Sequence, residues 1–363
     1  MSPNEFQPIE KQDQHYLFDQ NYLVGSSGTD GIVKIWNMYD LEHMMNFIVP
    51  KEQCIAIAMH QFKPYMICSY TDGYIRFFDM DAGKNLGRCM INSTVEEGDT
   101  TSDEVNVIRI LPSGQHLLCA TKYGQIFLVF VDSWQPLSIS IQSLVSLNTP
   151  LVNFDVSFLE PYNKWLVATS TGKLFVYNRQ DSNSFKQELF EKTKPPQFVF
   201  MDSFNAQEYV DNYFTESKRV NTLDHYYGMA QRNLVNNELS TENECEGYFL
   251  NNDLASYICL IRKCNAIFIR NFELHQIVKK IDLAARCVQM QMAPGTAPYI
   301  YVIIETNDVQ MIDFVNETNT TTVRTLHESV KSLKVCPNGR YLLTSGARGD
   351  VALWSVVRTQ TQP

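Results

Sequence analysis

The sequence of 363 residues lacks the features that mark secreted, membrane-spanning and nucleic-acid-binding proteins. Its first twenty residues contain no apolar stretch of the kind found in a secretory signal, and no window approaches eighteen consecutive apolar residues. No run of five basic residues occurs, and a formal net charge of −10 opposes the binding of phosphate backbones. We therefore expect a cytosolic protein with no nucleic-acid partner and no membrane partner.

Metal-binding and catalytic motifs are lacking as well. The nine cysteines include no CxxC pair, and an odd number without a signal peptide is typical of reduced intracellular cysteine. The sequence has no GxSxG, P-loop or HExxH motif, and its seven histidines are spread out with no matching Ser or Cys motif. We expect no metal, no other cofactor, no small-molecule substrate and no enzymatic activity.

What the sequence does contain is a repeated pattern. A short apolar run is followed by a tight polar turn and then by an alternating strand that ends in or beside an aromatic residue. Seven copies occur, with final strands at 32–36, 74–79, 125–130, 173–178, 267–272, 309–314 and 351–354. Gly or Asp-Gly in the turn supplies the positive φ that a tight hairpin needs.

The spacing of these copies indicates the repeating unit. Gly31 and Gly73 are 42 residues apart, and Asp308 and Asp350 are also 42 apart. A period of about 40–45 residues is typical of a four-stranded propeller blade. The interval from Gly172 to the next copy, which begins near Asn265, is 93 residues, and this predicts one blade plus an insertion. We therefore predict an all-β, seven-bladed β-propeller of degenerate repeats, with one long insertion between the fourth and fifth blades.

These intervals also give the expected domain boundaries. Blades one to four occupy residues 1–180, and an insertion arm occupies 181–246. Blades five to seven occupy 247–358, and a short tail occupies 359–363.

The last copy, HESVKSLKVCPNGRYLLTSGARGDVALW, resembles a WD repeat, which has a His before the first strand and an Asp in the last turn. His327 matches the first of these positions. Asp30 and Asp72 match the second, six residues before Trp36 and Phe78 respectively.

In WD repeats these groups hydrogen-bond within a blade to a Ser or Thr and to the Trp, and the resemblance implies the same structural role here. The last blade has Arg348 where the Asp belongs, so no blade is expected to keep the full set. The structural positions implied by the resemblance are Asp30, Gly31, Trp36, Asp72, Gly73, His327 and Trp354.

The order of the blades is similar to that in the last propeller of the WD-repeat protein ninety family, which belongs to the proteome of the centriole. The similarity rests on MYDLEHMMNFIVPKEQCIAIAMH with ICSYTDGYIRFFDM, and on AIFIRNFELHQIVKKIDL with the last repeat. It covers residues from about 20 to 358, with a break over the insertion. Family members are centriolar and ciliary, so the resemblance implies a scaffold along the microtubule wall of centrioles or basal bodies.

The insertion arm concentrates aromatic residues outside the repeat pattern, and aromatic side chains dominate the energetics of protein interfaces. The equally weighted alternative is that they pack back onto the side of the propeller. Tyr209, Tyr213 and Phe214 have the spacing of a short amphipathic helix. The candidate protein-binding residues are Phe198, Phe200, Phe204, Tyr209, Tyr213, Phe214, Tyr226 and Tyr227.

Together these observations favour a protein-interaction scaffold of the centriole, basal body or axoneme. Its expected partners are other centriolar or axonemal proteins, and tubulin through local basic spots such as Lys279-Lys280 or Lys218-Arg219. Two alternatives stay open: an adaptor in another cytosolic complex such as a ubiquitin ligase, and a soluble propeller enzyme.

Overall fold

The fold is all-β in the part of the chain that the computed structural model describes. That part contains 26 antiparallel strands in seven sheets. The described residues are 23–38, 42–91, 103–111, 114–147, 149, 151–157, 164–169, 173–179, 198–205, 245–250, 253, 255–261, 265–295, 297–316, 318–325, 327–336 and 339–356. Each sheet corresponds to one predicted blade, and the predicted propeller of seven blades is confirmed.

Five of the sheets have four strands, arranged in sequence order. The second sheet comprises β4 (Cys54–Met59), β5 (Tyr65–Tyr70), β6 (Tyr74–Asp79) and β7 (Lys84–Met90). The third comprises β8 (Val105–Ile110), β9 (His116–Thr121), β10 (Gln125–Trp134) and β11 (Leu137–Ser146). The fourth comprises β12 (Leu151–Ser157), β13 (Lys164–Thr169), β14 (Lys173–Arg179) and β15 (Phe198–Asn205).

The fifth and sixth sheets repeat this arrangement. The fifth comprises β16 (Cys245–Phe249), β17 (Ser256–Ile261), β18 (Ala266–Asn271) and β19 (Gln276–Asp282). The sixth comprises β20 (Cys287–Met292), β21 (Tyr299–Ile304), β22 (Asp308–Asp313) and β23 (Thr318–Arg324).

The first and last sheets have three strands each within the described residues. The first comprises β1 (Leu23–Ser27), β2 (Ile32–Asn37) and β3 (His43–Ile48), and the seventh comprises β24 (Val330–Val335), β25 (Tyr341–Gly346) and β26 (Val351–Ser355). Trp36 on β2 bonds to Ser26 on β1 just as Trp354 on β26 bonds to Thr344 on β25. Strand β1 therefore holds the second position of a blade. Among the described strands, the first sheet thus lacks the first strand of a blade and the seventh lacks the fourth.

The apolar core lies between the sheets. Each of six hydrophobic clusters joins one sheet to the next, from the first and second through to the sixth and seventh. Strands such as β9 are buried on both faces because a neighbouring sheet covers each face. The first strands of the second to seventh sheets contact one another in turn, as the innermost strands of a ring do. We call β4, β8, β12, β16, β20 and β24 the inner strands.

Two glycines show why the hairpin turns require this residue. Gly31, in the turn between β1 and β2, and Gly124, in the turn between β9 and β10, have positive φ of 73° and 89° respectively. A β-carbon at Gly31 would collide with the backbone carbonyls of Val49 and Glu52, and one at Gly124 would collide with the backbone of Thr149. The turn glycines predicted from sequence are therefore required both by conformation and by close packing.

One boundary needs correction. The arm was predicted to lie outside the blades from residue 181 to 246, but Phe198–Asn205 is the fourth strand of the fourth sheet and pairs along its length with β14. The first strand of the fifth sheet, β16, begins at Cys245, before the predicted end of the arm at residue 246. Apolar and other residues alternate along 198–205, as in a strand. The repeat pattern did not reveal this strand because residues 180–197 separate it from β14. Only residues 206–244 separate the fourth and fifth sheets.

Candidate functional site: polar networks within and between the blades

The last blade carries a continuous chain of hydrogen bonds between four side chains. Trp354 Nε1 donates to Thr344 Oγ1 at 2.8 Å, and Thr344 Oγ1 lies 2.8 Å from His327 Nε2. His327 Nδ1 contacts the Asp350 carboxylate. With the imidazole proton on Nδ1, every donor has an acceptor: indole to hydroxyl, hydroxyl to Nε2, and Nδ1 to carboxylate. Thr344 is fully buried, so this network ties the turn and two strands to the loop that enters the blade.

Asp350 completes the set that sequence reasoning judged incomplete. Arg348 was placed at the acidic position, but it forms an exposed ion pair with Glu328 at 2.5 Å instead. The carboxylate comes from Asp350, four residues before Trp354 rather than six. This register works because the turn brings the Asp350 carboxylate directly over Gly346, where a β-carbon would collide with it. The prediction that no blade keeps the full set is therefore wrong.

The contact with His327 changes the acidity of the Asp350 carboxyl. Its hydrogen bond with His327 lowers the pKa of Asp350 below the usual value of 3.8, against a smaller opposing effect of desolvation. The carboxylate is thus held ionised down to lower pH than a free aspartate.

The first blade keeps part of the same network. Trp36 Nε1 donates to Ser26 Oγ at 2.9 Å, which reproduces the Trp-to-hydroxyl bond of the last blade. Asp30 Oδ1 accepts from the Ile32 amide at 3.1 Å and so closes the turn in which Gly31 sits. Asp30 therefore has a turn-closing role here.

In the second blade the predicted acid takes a different partner. Asp72 forms a two-pronged ion pair with Arg76, which is buried. The guanidinium lies 4.7 Å from the ring centroid of Tyr70, and Phe78 at the Trp position has no donor to offer. Burial is the largest single effect and raises the pKa of the Asp72 carboxyl, but the hydrogen bonds from Arg76 and the Tyr74 amide, together with the charges of Arg76 and Arg88, outweigh it and the net pKa is lowered. Gly73, with φ of 76°, makes the predicted turn.

A second set of hydrogen bonds joins neighbouring blades through the inner strands. Each uses a side chain of one inner strand as acceptor for a backbone N–H of the next. Asp155 Oδ2 accepts from Phe249 N at 2.8 Å, Glu246 Oε2 accepts from Met290 N at 3.0 Å, and Gln289 Oε1 accepts from Leu333 N at 3.1 Å. We call these three bonds the inter-blade latches. Sequence reasoning missed them, although a polar residue within an otherwise apolar inner strand was a usable signal.

Two cations on the inner strands lie within electrostatic reach of the latches. Arg109 Nε donates to the Phe154 carbonyl at 3.3 Å, which links the third and fourth blades. Lys334 on β24 has a solvent-exposed side chain. The protein packed around this side chain still removes part of its hydration, and this desolvation lowers the pKa of Lys334 to about 8. Repulsion by Arg109 adds to the shift, and attraction by Glu246 opposes it.

The aromatic residues predicted to bind a partner fall into two groups. Phe198, Phe200 and Phe204 belong to β15, so their backbone is part of the propeller, and their placement outside the repeat pattern is corrected. The remaining candidates lie outside the described residues and their role stays a prediction: Tyr209, Tyr213, Phe214, Tyr226 and Tyr227.

The basic spot at Lys279-Lys280 is engaged within the propeller. Lys279 Nζ donates to the carbonyls of Phe314 and Val315 at 3.0 and 2.7 Å, and these two bonds link the fifth blade to the sixth. Lys280 pairs with Asp282 at 2.7 Å. The pair is therefore a poor choice for a free docking spot, while Lys218-Arg219 lies outside the described residues.

Neither a metal site nor a spanning helix is found in the part of the chain that the structure describes. There, no group of three or more His, Cys, Asp or Glu side chains is placed to hold a metal ion. Over the same residues, no helix has the length and apolar character needed to cross a membrane.

Comparison with known proteins agrees with this architecture. Residues 320–355 match the family described as WD domain, G-beta repeat, and this range includes the complete network of the last blade. No curated protein sequence matches the chain.

Two solved structures share the fold. One, described as the crystal structure of the mitotic checkpoint complex, has a TM-score of 0.65 at 9% identity, covering 93% of this chain and 88% of that one. The other is the β-propeller domain of Cps50 (Swd1) from Myceliophteria thermophila, with a TM-score of 0.61 at 12% identity, covering 93% of this chain and 95% of that domain. At these identities the likeness concerns the fold alone.

Proposed function

We propose that this chain is a non-catalytic protein-interaction scaffold, and that it works as a structural component of the centriole, basal body or axoneme. The observation that carries the scaffold role is the use of its buried polar side chains. His327, Glu246 and their partners hold strands and blades together. These side chains are therefore engaged in fixing the ring.

A rigid ring suits a scaffold because its blades keep fixed positions relative to one another. The latches and the six inter-sheet clusters resist relative movement of the blades. Partners can then bind without first ordering the platform, which lowers the entropic cost of association.

The centriolar assignment is supported by the resemblance of residues 38–60, 67–80 and 266–283 to the centriolar family. It is tested by imaging the tagged full chain in ciliated cells beside a basal-body marker. We expect co-localisation with the marker. A diffuse cytosolic signal, with subunits of a ubiquitin ligase recovered by proximity labelling, would instead favour the adaptor.

The specific partner contact is proposed to lie in the segment between the fourth and fifth blades. Residues 209–227 there carry five aromatic residues. Burying two of them in a partner would contribute about 2–4 kcal/mol.

This contact is tested by replacing 206–227 with a Gly/Ser linker of equal length, which keeps β15 and β16 intact. The linker variant should fold and lose partners that the intact chain recovers from ciliated cells. Recovery of the same partners by both proteins would show that the segment only packs.

A further inference from the structure

Two neighbouring turns of the second blade present the most exposed large hydrophobic side chain among the described residues. Phe62 lies in the turn between β4 and β5 and is 70% exposed. The turn between β6 and β7 lies beside it, because the Met80 amide donates to the Pro64 carbonyl at 2.7 Å. We call these two turns, residues 60–64 and 80–83, the double turn.

The first turn is held in place by His60. Its Nδ1 accepts hydrogen bonds from the amides of Phe62 and Lys63 at 3.0 and 3.1 Å. Desolvation, and then the charge of Lys63, lower the pKa of His60, so the ring is neutral near pH 7 and Nδ1 keeps its lone pair. The imidazole also packs against Gly114, where a β-carbon would collide with Nε2, and against the Trp134 ring with 5.6 Å between centroids. Phe62 is therefore exposed on an ordered turn, and a partner need not order it on binding.

Two carboxylates belong to the second turn. Asp79 is buried and holds the turn, because it accepts from the Ala82 amide at 3.0 Å and from Gln135 Nε2 at 2.6 Å. Asp81 is exposed, and none of the ion pairs between described residues includes it. Desolvation, and then repulsion by Asp79, raise the pKa of Asp81 above its usual value. The second turn therefore carries negative charge that no cation of the described chain neutralises by direct pairing.

Tyr65 connects the aromatic and the acidic parts of the double turn. Its ring centroid lies 6.3 Å from that of His60, which in turn lies 6.5 Å from that of Phe62. Desolvation, and then the charges of Asp79 and Asp81, raise the pKa of Tyr65, so both carboxylates lie within electrostatic reach of its hydroxyl. The exposed Phe62 ring and the exposed Asp81 carboxylate are therefore parts of one surface.

An exposed aromatic ring beside an unpaired carboxylate favours arginine as the occupant. The planar guanidinium can stack on the Phe62 ring and at the same time donate two N–H groups to the Asp81 carboxylate. A purely apolar occupant would cover the carboxylate without pairing it, which is costly. Lys63 and Lys84 flank the double turn, but neither forms an ion pair with Asp81. The net charge of −10 adds a long-range attraction for a basic partner.

We propose that the double turn binds an arginine in a basic segment of a partner protein, with the guanidinium held by the Phe62 ring and the Asp81 carboxylate. This surface is separate from the contact proposed for residues 206–227, and it rests on the proposed scaffold role only because its occupant is a protein. One exposed cation–π contact and one exposed ion pair make a weak site. It therefore suits a partner that binds the scaffold at several places at once.

Titration of a fluorescein-labelled peptide, Gly-Ser-Arg-Gly-Arg-Ser-Gly, with the purified intact chain tests the proposal by fluorescence anisotropy. Matched peptides carry lysine or citrulline in place of both arginines, and citrulline keeps the planar shape of arginine without its charge. We expect the arginine peptide to bind about threefold more tightly than the lysine peptide, and at least about tenfold more tightly than the citrulline peptide. Binding should weaken as ionic strength rises, because salt screens the charges.

Substitutions locate the site. Phe62→Ala should weaken binding of the arginine peptide about fivefold by removing the ring, and Asp81→Asn should weaken it about threefold by removing the charge. Both side chains are exposed, so each variant should keep the melting temperature of the parent. The matched controls are Tyr123→Ala, at an exposed aromatic residue of the third blade, and Asp253→Asn, at an exposed aspartate of the fifth. Both controls should bind the peptide as the parent does.

The linker variant of residues 206–227 separates this site from the proposed partner contact, because it should bind the arginine peptide as tightly as the intact chain. Binding of the arginine peptide no tighter than the citrulline peptide overturns the proposal. So does an affinity that either Phe62→Ala or Asp81→Asn leaves unchanged. Neither result bears on whether the chain localises to basal bodies.

Discussion

The seventh and second blades build the same hairpin from different chemistry. In the seventh, a chain of hydrogen bonds, the relay, runs from Trp354 through Thr344 and His327 to the Asp350 carboxylate. In the second, Phe78 replaces the indole and Asp72 turns to a buried Arg76. Both solutions fix the acidic turn against its own blade. The repeat can therefore lose its characteristic residues without losing its fold, provided that each buried polar group finds some partner.

The largest expected effect comes from breaking the relay of the seventh blade. Thr344→Val keeps the shape of the side chain but removes the common partner of the half-buried Trp354 Nε1 and the buried His327 Nε2. We expect a loss of about 2–4 kcal/mol in the free energy of unfolding, measured by urea denaturation. Ser355→Ala, at an exposed serine in the same sheet, is the control and should change it by less than about 0.5 kcal/mol. Equal values for the two variants would mean that the relay does not stabilise the blade.

Breaking the ion pair of the second blade should cost somewhat less. Arg76→Met keeps the aliphatic length but leaves the Asp72 carboxylate partly buried without its cation, and it removes the contact with Tyr70. We expect a loss of about 2 kcal/mol in the free energy of unfolding, measured by urea denaturation. Arg88→Met removes an exposed arginine that lies 4.3 Å above Tyr74 and serves as the control. If Arg88→Met lowers the free energy of unfolding as much as Arg76→Met does, burial of the Asp72–Arg76 pair does not explain the loss.

The sequence predicted the hairpins well because their information is local. Gly31 and Gly73 lie in turns between strands a few residues apart, where positive φ and alternation suffice to predict the structure. Asp350 was missed because a two-residue change in turn register put Arg348 in its place. Strand β15 was missed because its partner lies beyond residues 180–197. The latch from Asp155 to Phe249 joins residues 94 apart, so a polar residue in an inner strand can mark the latch but cannot identify its partner.

A third test concerns how the ring closes beside the seventh blade. Within the described residues this sheet lacks its fourth strand, and we predict that residues 1 to 15 supply it. Deleting them should lower the melting temperature by several degrees, because β26 would keep an unpaired edge. Deleting the tail 359–363 is the comparison and should leave the melting temperature unchanged. The reverse result would assign closure to the other terminus.

The smallest effect is a difference in acid response that only the seventh blade's relay explains. The pKa of Asp350 is lowered by its bond to His327, so the carboxylate takes up its proton at lower pH in the folded chain than in the unfolded chain. Its stabilising contribution is therefore complete above the usual value of 3.8 and is lost as pH falls through the lowered pKa of the folded state. Asp350→Asn should lower the melting temperature near neutral pH, and the gap between variant and parent should narrow as the pH drops below 3.8. Asp253→Asn, at an exposed aspartate in the fifth blade, controls for the loss of one negative charge. A gap for Asp350→Asn that stays constant down to the acid transition would show that the carboxylate charge plays no part in the relay.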